Sequence, residues 1–125
     1  MKIYTTYFAK LNKLPKDIVV IPISNGIPKY LDSSLSGMKY KKLIPPWYIV
    51  KDYQEDKDEA KYTARYKELI LNHLDPTVVC AELERMSQGK DVALVCYEKS
   101  GDFCHRHIVS EWMREAGYDV WGWIE

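Results

Sequence analysis

The chain has 125 residues, of which 46% are hydrophobic, enough for one compact domain with a core and too few for two. Its 18 basic and 18 acidic residues cancel, so no overall field draws the molecule to nucleic acid or to an anionic membrane. No stretch approaches the roughly 20 apolar residues of a membrane span, and polar residues interrupt the first segment too often for a signal peptide. We therefore expect a single domain over residues 1–125, located in the cytoplasm, with no membrane partner.

Two strands are predicted in the first part of the chain. KIYTTYF (residues 2–8) alternates its side chains, and DIVVIPIS (residues 17–24) is a near-continuous apolar run of the kind found in strands covered on both faces. Residues 26–56 follow, rich in Pro, Gly, Ser, Lys and Tyr and without a sustained period. We predict a long loop there, and loops of that length are often functional.

Helical and strand patterns alternate in the rest of the chain. The predicted helices are DEAKYTARYKELILNHL (58–74), DPTVVCAELERMSQGK (75–90) and FCHRHIVSEWMREAG (103–117). The predicted strands are DVALVCYE (91–98) and YDVWGWI (118–124). This order predicts an α/β fold, a single compact layered domain with a mainly parallel sheet flanked by helices, in which ligands bind beyond the carboxyl ends of the strands.

The segment CYEKSGDFCHRH (residues 96–107) concentrates chemically active side chains at such a position. Cys96 and Glu98 close a buried strand, and Cys104, His105 and Arg106 fall in the first turn of the next helix. A helix N-terminus carries a partial positive charge that stabilises anions and thiolates. Cys104 is therefore a candidate nucleophile. Arg106 adds a cationic fork suited to a phosphate or carboxylate.

Other readings of this segment stay open. His105 projects into the buried face of the helix and is either an acid/base group or a satisfied core histidine, whereas His107 projects to the opposite side. The spacing C-x7-C-H-x-H matches no tetrahedral zinc motif, so we expect no metal. Three cysteines is an odd number, which predicts reduced thiols and no structural disulfide. The alternative is a helix-capping cluster, in which Asp102 caps the helix, Glu98 pairs with Arg106 and the thiols pack.

A family resemblance rests on LVCYEKSGDFCHRHIVSEWM (residues 94–113). It resembles the C-terminal signature of the family called domain of unknown function 488, in which a strand ending in C-x-E leads to C-H-R at a helix start. Fainter similarity covers most of the chain. The resemblance implies a small α/β protein and points to Cys96, Glu98, Cys104, His105 and Arg106. Asn25 stands in the segment where many relatives have an arginine, so the second anion contact lacks a positive charge here.

Two functions follow as hypotheses. In the first, residues 96–106 and Asn25 form an active-site pocket for an anionic or phosphate-bearing small molecule, covered by the 26–56 segment. Cys96, Glu98, Cys104 and His105 would be the catalytic groups, with Arg106 and Asn25 holding the anion. In the second, the basic and aromatic residues of 39–53 bind nucleic acid or another protein. A metal or redox role for Cys96 and Cys104 is the remaining alternative. The pattern names no cofactor and leaves open whether the protein is an enzyme.

Overall fold

The computed structural model describes residues 1–31, 35–97 and 103–122. Within these ranges, four strands form one parallel sheet in the order β2-β3-β1-β4. The strands are β1 (Ile3–Tyr7), β2 (Val19–Pro22), β3 (Val92–Cys96) and β4 (Val120–Gly122). The predicted α/β architecture with a parallel sheet is confirmed.

The register of the sheet brings the ends of three strands together. Tyr7 at the end of β1 pairs with Cys96 at the end of β3, and Pro22 at the end of β2 pairs with Val95. The carboxyl ends of these strands therefore meet at one edge of the sheet. This is the edge at which an open parallel sheet binds its ligands.

Four α-helices lie in the described ranges. They are α1 (Trp47–Asp56), α2 (Glu59–Leu69), α3 (Pro76–Ser87) and α4 (His105–Glu115). The start of α3 follows the sequence signals closely, because the Asp75 side chain accepts a hydrogen bond from the Thr77 backbone N–H and Pro76 occupies the first turn. At the end of α4, Gly117 has a positive φ of 93° that favours glycine. None of these helices is long and apolar enough to cross a bilayer.

The sheet has a buried cluster on each face, as the alternation of side chains along a strand requires. The larger cluster packs Leu94 and Val92 of β3 against residues of α2, α3 and α4, including Tyr66, Leu83 and Val109. The smaller cluster contains Ala93 and Val95 of the same strand and packs them with Phe8 and Ile18. β3 is thus fully buried, which explains its continuous apolar sequence.

The prediction of a long loop over residues 26–56 is wrong for its second half. Short 3-10 helices occur at Lys29–Leu31, Ser36–Met38 and Lys41–Leu43, and α1 occupies Trp47–Asp56. Helix α1 starts directly after Pro46, which is its N-cap residue, and it buries one face through Ile49, with Val50 and Tyr53 packed against the core. The apolar face of α1 consists of only these three side chains. Three apolar residues after a Pro-rich segment are too few to show a helical period in the sequence.

Candidate functional site

A cleft of about 780 Å³ opens at the carboxyl edge of the sheet. Its floor includes residues that follow β2, namely Ser24, Asn25 and Gly26, and the start of α4 at Cys104 and His105. Its walls come from Tyr97 after β3, from α1 and from the start of α2. The remaining lining residues are Pro45, Trp47, Val50, Tyr53, Gln54, Lys57, Glu59, Tyr62 and Phe103.

Aromatic rings fix the segment that leads into α4. The Phe103 ring lies 4.8 Å from the Tyr53 ring and 5.2 Å from the Tyr62 ring, measured between centroids. Tyr62 stacks on Tyr66, whose ring is 5.6 Å from that of His105. Such offset and edge contacts add to the burial of the rings. Helices α1 and α2 therefore position Cys104 and His105 through their neighbour Phe103 and through Tyr66.

The sulfur atoms of Cys96 and Cys104 are in contact, but the Cα atoms of the two residues are 7.7 Å apart, which is farther than a disulfide normally spans. The two thiols can therefore form a disulfide only with a shift of the backbone, and reduced thiols at these positions stay a prediction. An odd number of cysteines argues against a framework of several disulfides, but it says nothing about one local pair of sulfurs. This pair is local, because Cys96 is the last residue of β3 and Cys104 is the N-cap residue of α4. The third cysteine, Cys80, is unpaired and buried in α3, as predicted, and burial raises the pKa of its thiol to about 11.

His105 is buried and has a fixed orientation. Its Nε2 lies 2.5 Å from the carbonyl oxygen of Ile23, and its Nδ1 lies 3.8 Å from Cys104 Sγ. Because a carbonyl only accepts, Nε2 carries the proton and Nδ1 presents a lone pair to the sulfur. Burial lowers the pKa of His105 to about 4, and the hydrogen bond to the Ile23 carbonyl raises this pKa by a smaller amount. The imidazole is therefore neutral at pH 7, and it acts as a hydrogen-bond acceptor toward Cys104. His107 is exposed, as predicted.

Arg106 lies behind the cleft. Its side chain is 2% exposed, and it is absent from the cleft lining. Its Nη1 donates to Cys96 Sγ at 3.1 Å, and its guanidinium carbon is 5.7 Å from the centre of the Tyr7 ring. The guanidinium therefore faces a sulfur atom at the end of β3, which is a different position from the predicted anion contact in the open cleft.

The structure describes one of the two remaining predicted site residues, Asn25, and does not describe the other, Glu98. Asn25 lines the cleft, and its side-chain N–H donates to the Pro45 carbonyl at 2.9 Å, which ties the end of β2 to the segment before α1. Glu98 lies outside the described residues, as does Asp102. The structure thus brings together Cys96, Cys104, His105 and Arg106, with Asn25 on the floor of the cleft that Cys104 and His105 line.

The same side chains have the composition of a metal site when the sulfurs are reduced. Atoms of Cys96, Cys104 and His105 lie within 4.8 Å of one another. The Nε2–H bond to the Ile23 carbonyl is the kind of outer contact that orients a ligating histidine. Two thiolates and an imidazole suit zinc or copper(I). The disulfide form has no thiolate to offer such an ion.

Sequence reasoning missed the aromatic wall. Trp47, Tyr53, Tyr62 and Tyr97 all line the cleft, although they come from three separate parts of the chain. The high aromatic content was visible in the sequence, with ten Tyr and four Trp. Their convergence was not visible, because it depends on how α1 and α2 pack over the edge of the sheet.

A family model described as the active DUF488-N3 subclade, DUF488-N3a, matches residues 5–117. The chain belongs to the DUF488 family. The match covers the strand end at Cys96, the helix start at residues 104–106 and Asn25, so the resemblance seen in the signature is confirmed over most of this DUF488 protein. No curated protein and no solved structure matches the chain.

Proposed function

We propose that this DUF488 protein binds a small nucleotide-like molecule in the cleft and acts on it with Cys104. The observation that carries the proposal is the meeting of Cys104 and His105 with an aromatic wall in one cleft at the carboxyl edge of a parallel sheet. A volume of about 780 Å³ lies in the usual range for small-molecule sites.

The aromatic wall supports a ligand with a flat ring. Trp47 and Tyr97 line the cleft, yet they are 57% and 50% exposed. Tyr97 is held from behind by an edge contact with Phe8, at 5.1 Å between ring centroids. Stacking of a base on such a ring contributes about 1–3 kcal/mol to binding.

The start of α4 and one lysine support an anionic group on the ligand. The first turn of a helix carries a partial positive charge, and Phe103, Cys104 and His105 place this turn in the cleft. Lys57 also lines the cleft, with its Nζ 5.3 Å from the centre of the Tyr53 ring. Glu59 also lines the cleft. A carboxylate and an ammonium group in one cleft favour a ligand that carries an anion together with hydroxyl or amine groups.

The chemistry we propose is nucleophilic attack by the Cys104 thiolate, with His105 Nδ1 orienting the thiol. Because His105 stays neutral, proton transfer is assigned to Glu98, the carboxylate of the C-x-E signature. An enzyme that depends on a reduced thiol works in a reducing compartment, and we include the cytoplasm in the proposal on that ground.

The alternative, a nucleic-acid or protein binding module built on residues 39–53, has less support. Lys42 Nζ forms an ion pair with Glu82 at 2.9 Å, and Lys39 Nζ donates to the Asn25 carbonyl at 2.7 Å. These lysines already contact protein groups. Trp47, the most exposed aromatic residue of 39–53, faces the small-molecule cleft.

The proposal is tested by thermal shift and calorimetry with three classes of probe: nucleosides, inorganic phosphate and nucleoside 5′-monophosphates. A monophosphate should bind more tightly than either part alone, and at ~100-fold its dissociation constant it should stabilise the fold by about 2.7 kcal/mol. Trp47→Ala should weaken binding about tenfold. Trp121→Ala is the matched control, since Trp121 is 55% exposed and lies outside this cleft. Equal affinity in both variants would remove the proposal.

A further inference from the structure

The two sulfur atoms of the Cys96–Cys104 pair differ in their access to the cleft. Cys104 lines the cleft, whereas Cys96 is fully buried and is not among the lining residues. A molecule bound in the cleft therefore meets Cys104 first. Cys96 is within bonding reach of Cys104 alone among the described cysteines, because Cys80 is unpaired in α3.

The surroundings of the two sulfurs also differ. Arg106 donates to Cys96 Sγ, and a guanidinium at 3.1 Å stabilises a negatively charged sulfur. Cys104 is oriented by the lone pair of His105 Nδ1 and is the N-cap residue of α4. In thiol–disulfide exchange, a stabilised thiolate is both a ready second nucleophile and a good leaving group.

We propose that Cys104 and Cys96 form a thiol–disulfide exchange site that reduces small disulfides held in the cleft. The Cys104 thiolate attacks one sulfur of the substrate, its S–S bond breaks, and the first thiol leaves as a mixed disulfide forms at Cys104. The Cys96 thiolate then attacks Cys104 Sγ, which releases the second thiol. The protein dithiol loses two electrons and two protons, and the substrate disulfide becomes two thiols.

A low-molecular-weight thiol returns the pair to the dithiol by the same steps in reverse, so the disulfide and the dithiol alternate in a cycle. The aromatic wall favours substrates with a flat or apolar group beside the disulfide. The exchange reaction requires the cleft and the sulfur pair, and it stands whether or not a nucleotide binds there. The stoichiometry of exchange therefore tests the sulfur pair separately from the affinity for a nucleotide.

A stoichiometric test uses the fully reduced protein and 4,4′-dithiodipyridine, an aromatic disulfide whose released thiol absorbs light. The native protein should release two equivalents rapidly, and peptide mass spectrometry should find Cys96 joined to Cys104 and Cys80 free. Cys96→Ser should release one equivalent and keep the probe on Cys104. Cys104→Ser should react at least tenfold more slowly, and Cys80→Ser should behave as the parent.

A turnover test uses catalytic amounts of protein, bis(2-hydroxyethyl) disulfide as substrate and glutathione as reductant. The parent and Cys80→Ser should accelerate the reaction at least tenfold over Cys104→Ser. Equal rates in all three proteins would overturn the proposal. So would stable probe adducts on both Cys96 and Cys104 of the parent, a result that needs no variant to fold.

A metal centre is the rival outcome, because the reduced side chains can hold an ion. It is tested by isolating the reduced protein in the presence of zinc and measuring bound metal. One tightly held ion, with Cys96 and Cys104 unreactive until a chelator is added, would overturn the exchange proposal. Absence of bound zinc together with rapid two-equivalent release supports it.

Discussion

The guanidinium of Arg106 lies 3.1 Å from Cys96 Sγ, buried behind the cleft in which Cys104 is found. A positively charged donor at this distance favours the thiolate of Cys96, which is the sulfur that must attack second. The contact spans ten residues of sequence and joins the first turn of α4 to the end of β3.

Arg106→Gln should slow the second step of exchange and spare the first. A hydrogen bond to a charged group contributes about 1.5–3 kcal/mol, so we expect the mixed disulfide at Cys104 to resolve at least tenfold more slowly. Stopped-flow release of probe thiol separates the two steps. Arg114→Gln, on the same helix and hydrogen-bonded to the Val120 carbonyl, is the control. Equal slowing of both steps would indicate a structural role alone.

His105 should make the oxidised protein less stable in acid. The unfolded chain binds a proton near the ordinary pKa of 6.5, while the folded protein resists it until about pH 4. The neutral imidazole therefore contributes its full share of the free energy of unfolding above pH 6.5. This share, on the order of 3 kcal/mol, is lost as the pH falls to about 4.

Urea unfolding of the parent and of His105→Gln between pH 7 and pH 4 measures this contribution. Glutamine keeps an N–H donor for the Ile23 carbonyl and does not titrate in this range, so the fall in stability should be smaller in the variant. His73→Gln, at an exposed position, should follow the parent. A variant that loses as much stability as the parent over this interval would contradict the assigned role of His105.

Tyr66 should stabilise the fold through its hydroxyl group. Its O–H donates to the Leu43 carbonyl at 2.6 Å in the core, and burial raises the pKa of this phenol well above 10. Tyr66→Phe leaves the carbonyl without that donor and should cost about 1–3 kcal/mol of unfolding free energy. Tyr30→Phe, at a residue that is 74% exposed, should change it by less than about 0.5 kcal/mol. Equal values for the two variants would show that the Leu43 bond does not stabilise the core.

The sequence predicted the parts of the fold that depend on local patterns. The run VALVC reads as a buried strand because every residue of β3 is covered, and Asp75 with Pro76 marks the start of α3 through short-range capping. The position of residues 104–106 at a helix start follows from the same kind of signal. Each of these features is determined by a few residues that are adjacent in the sequence.

The parts that the sequence did not predict depend on distant neighbours. Helix α1 is stabilised by a narrow apolar face that packs against α2 and the edge of the sheet. The sequence of α1 alone does not show that these partners are present. The sequence predicts Arg106 as an anion-binding residue, whereas the fold buries its side chain beside Cys96. The contact between the Cys96 and Cys104 sulfur atoms depends on how the end of β3 meets the start of α4, which a count of cysteines does not describe.

The most direct test of a ligand cleft built around Cys104 is the alkylation rate of this thiol in the reduced protein. Iodoacetamide labelling is followed by peptide mass spectrometry, with and without the nucleoside monophosphate that gives the largest thermal shift. A ligand lying on the aromatic wall beside the start of α4 should slow labelling of Cys104 at least tenfold at saturation, and Trp47→Ala should remove the protection. A full thermal shift with an unchanged rate at Cys104 would place the ligand elsewhere and contradict the account.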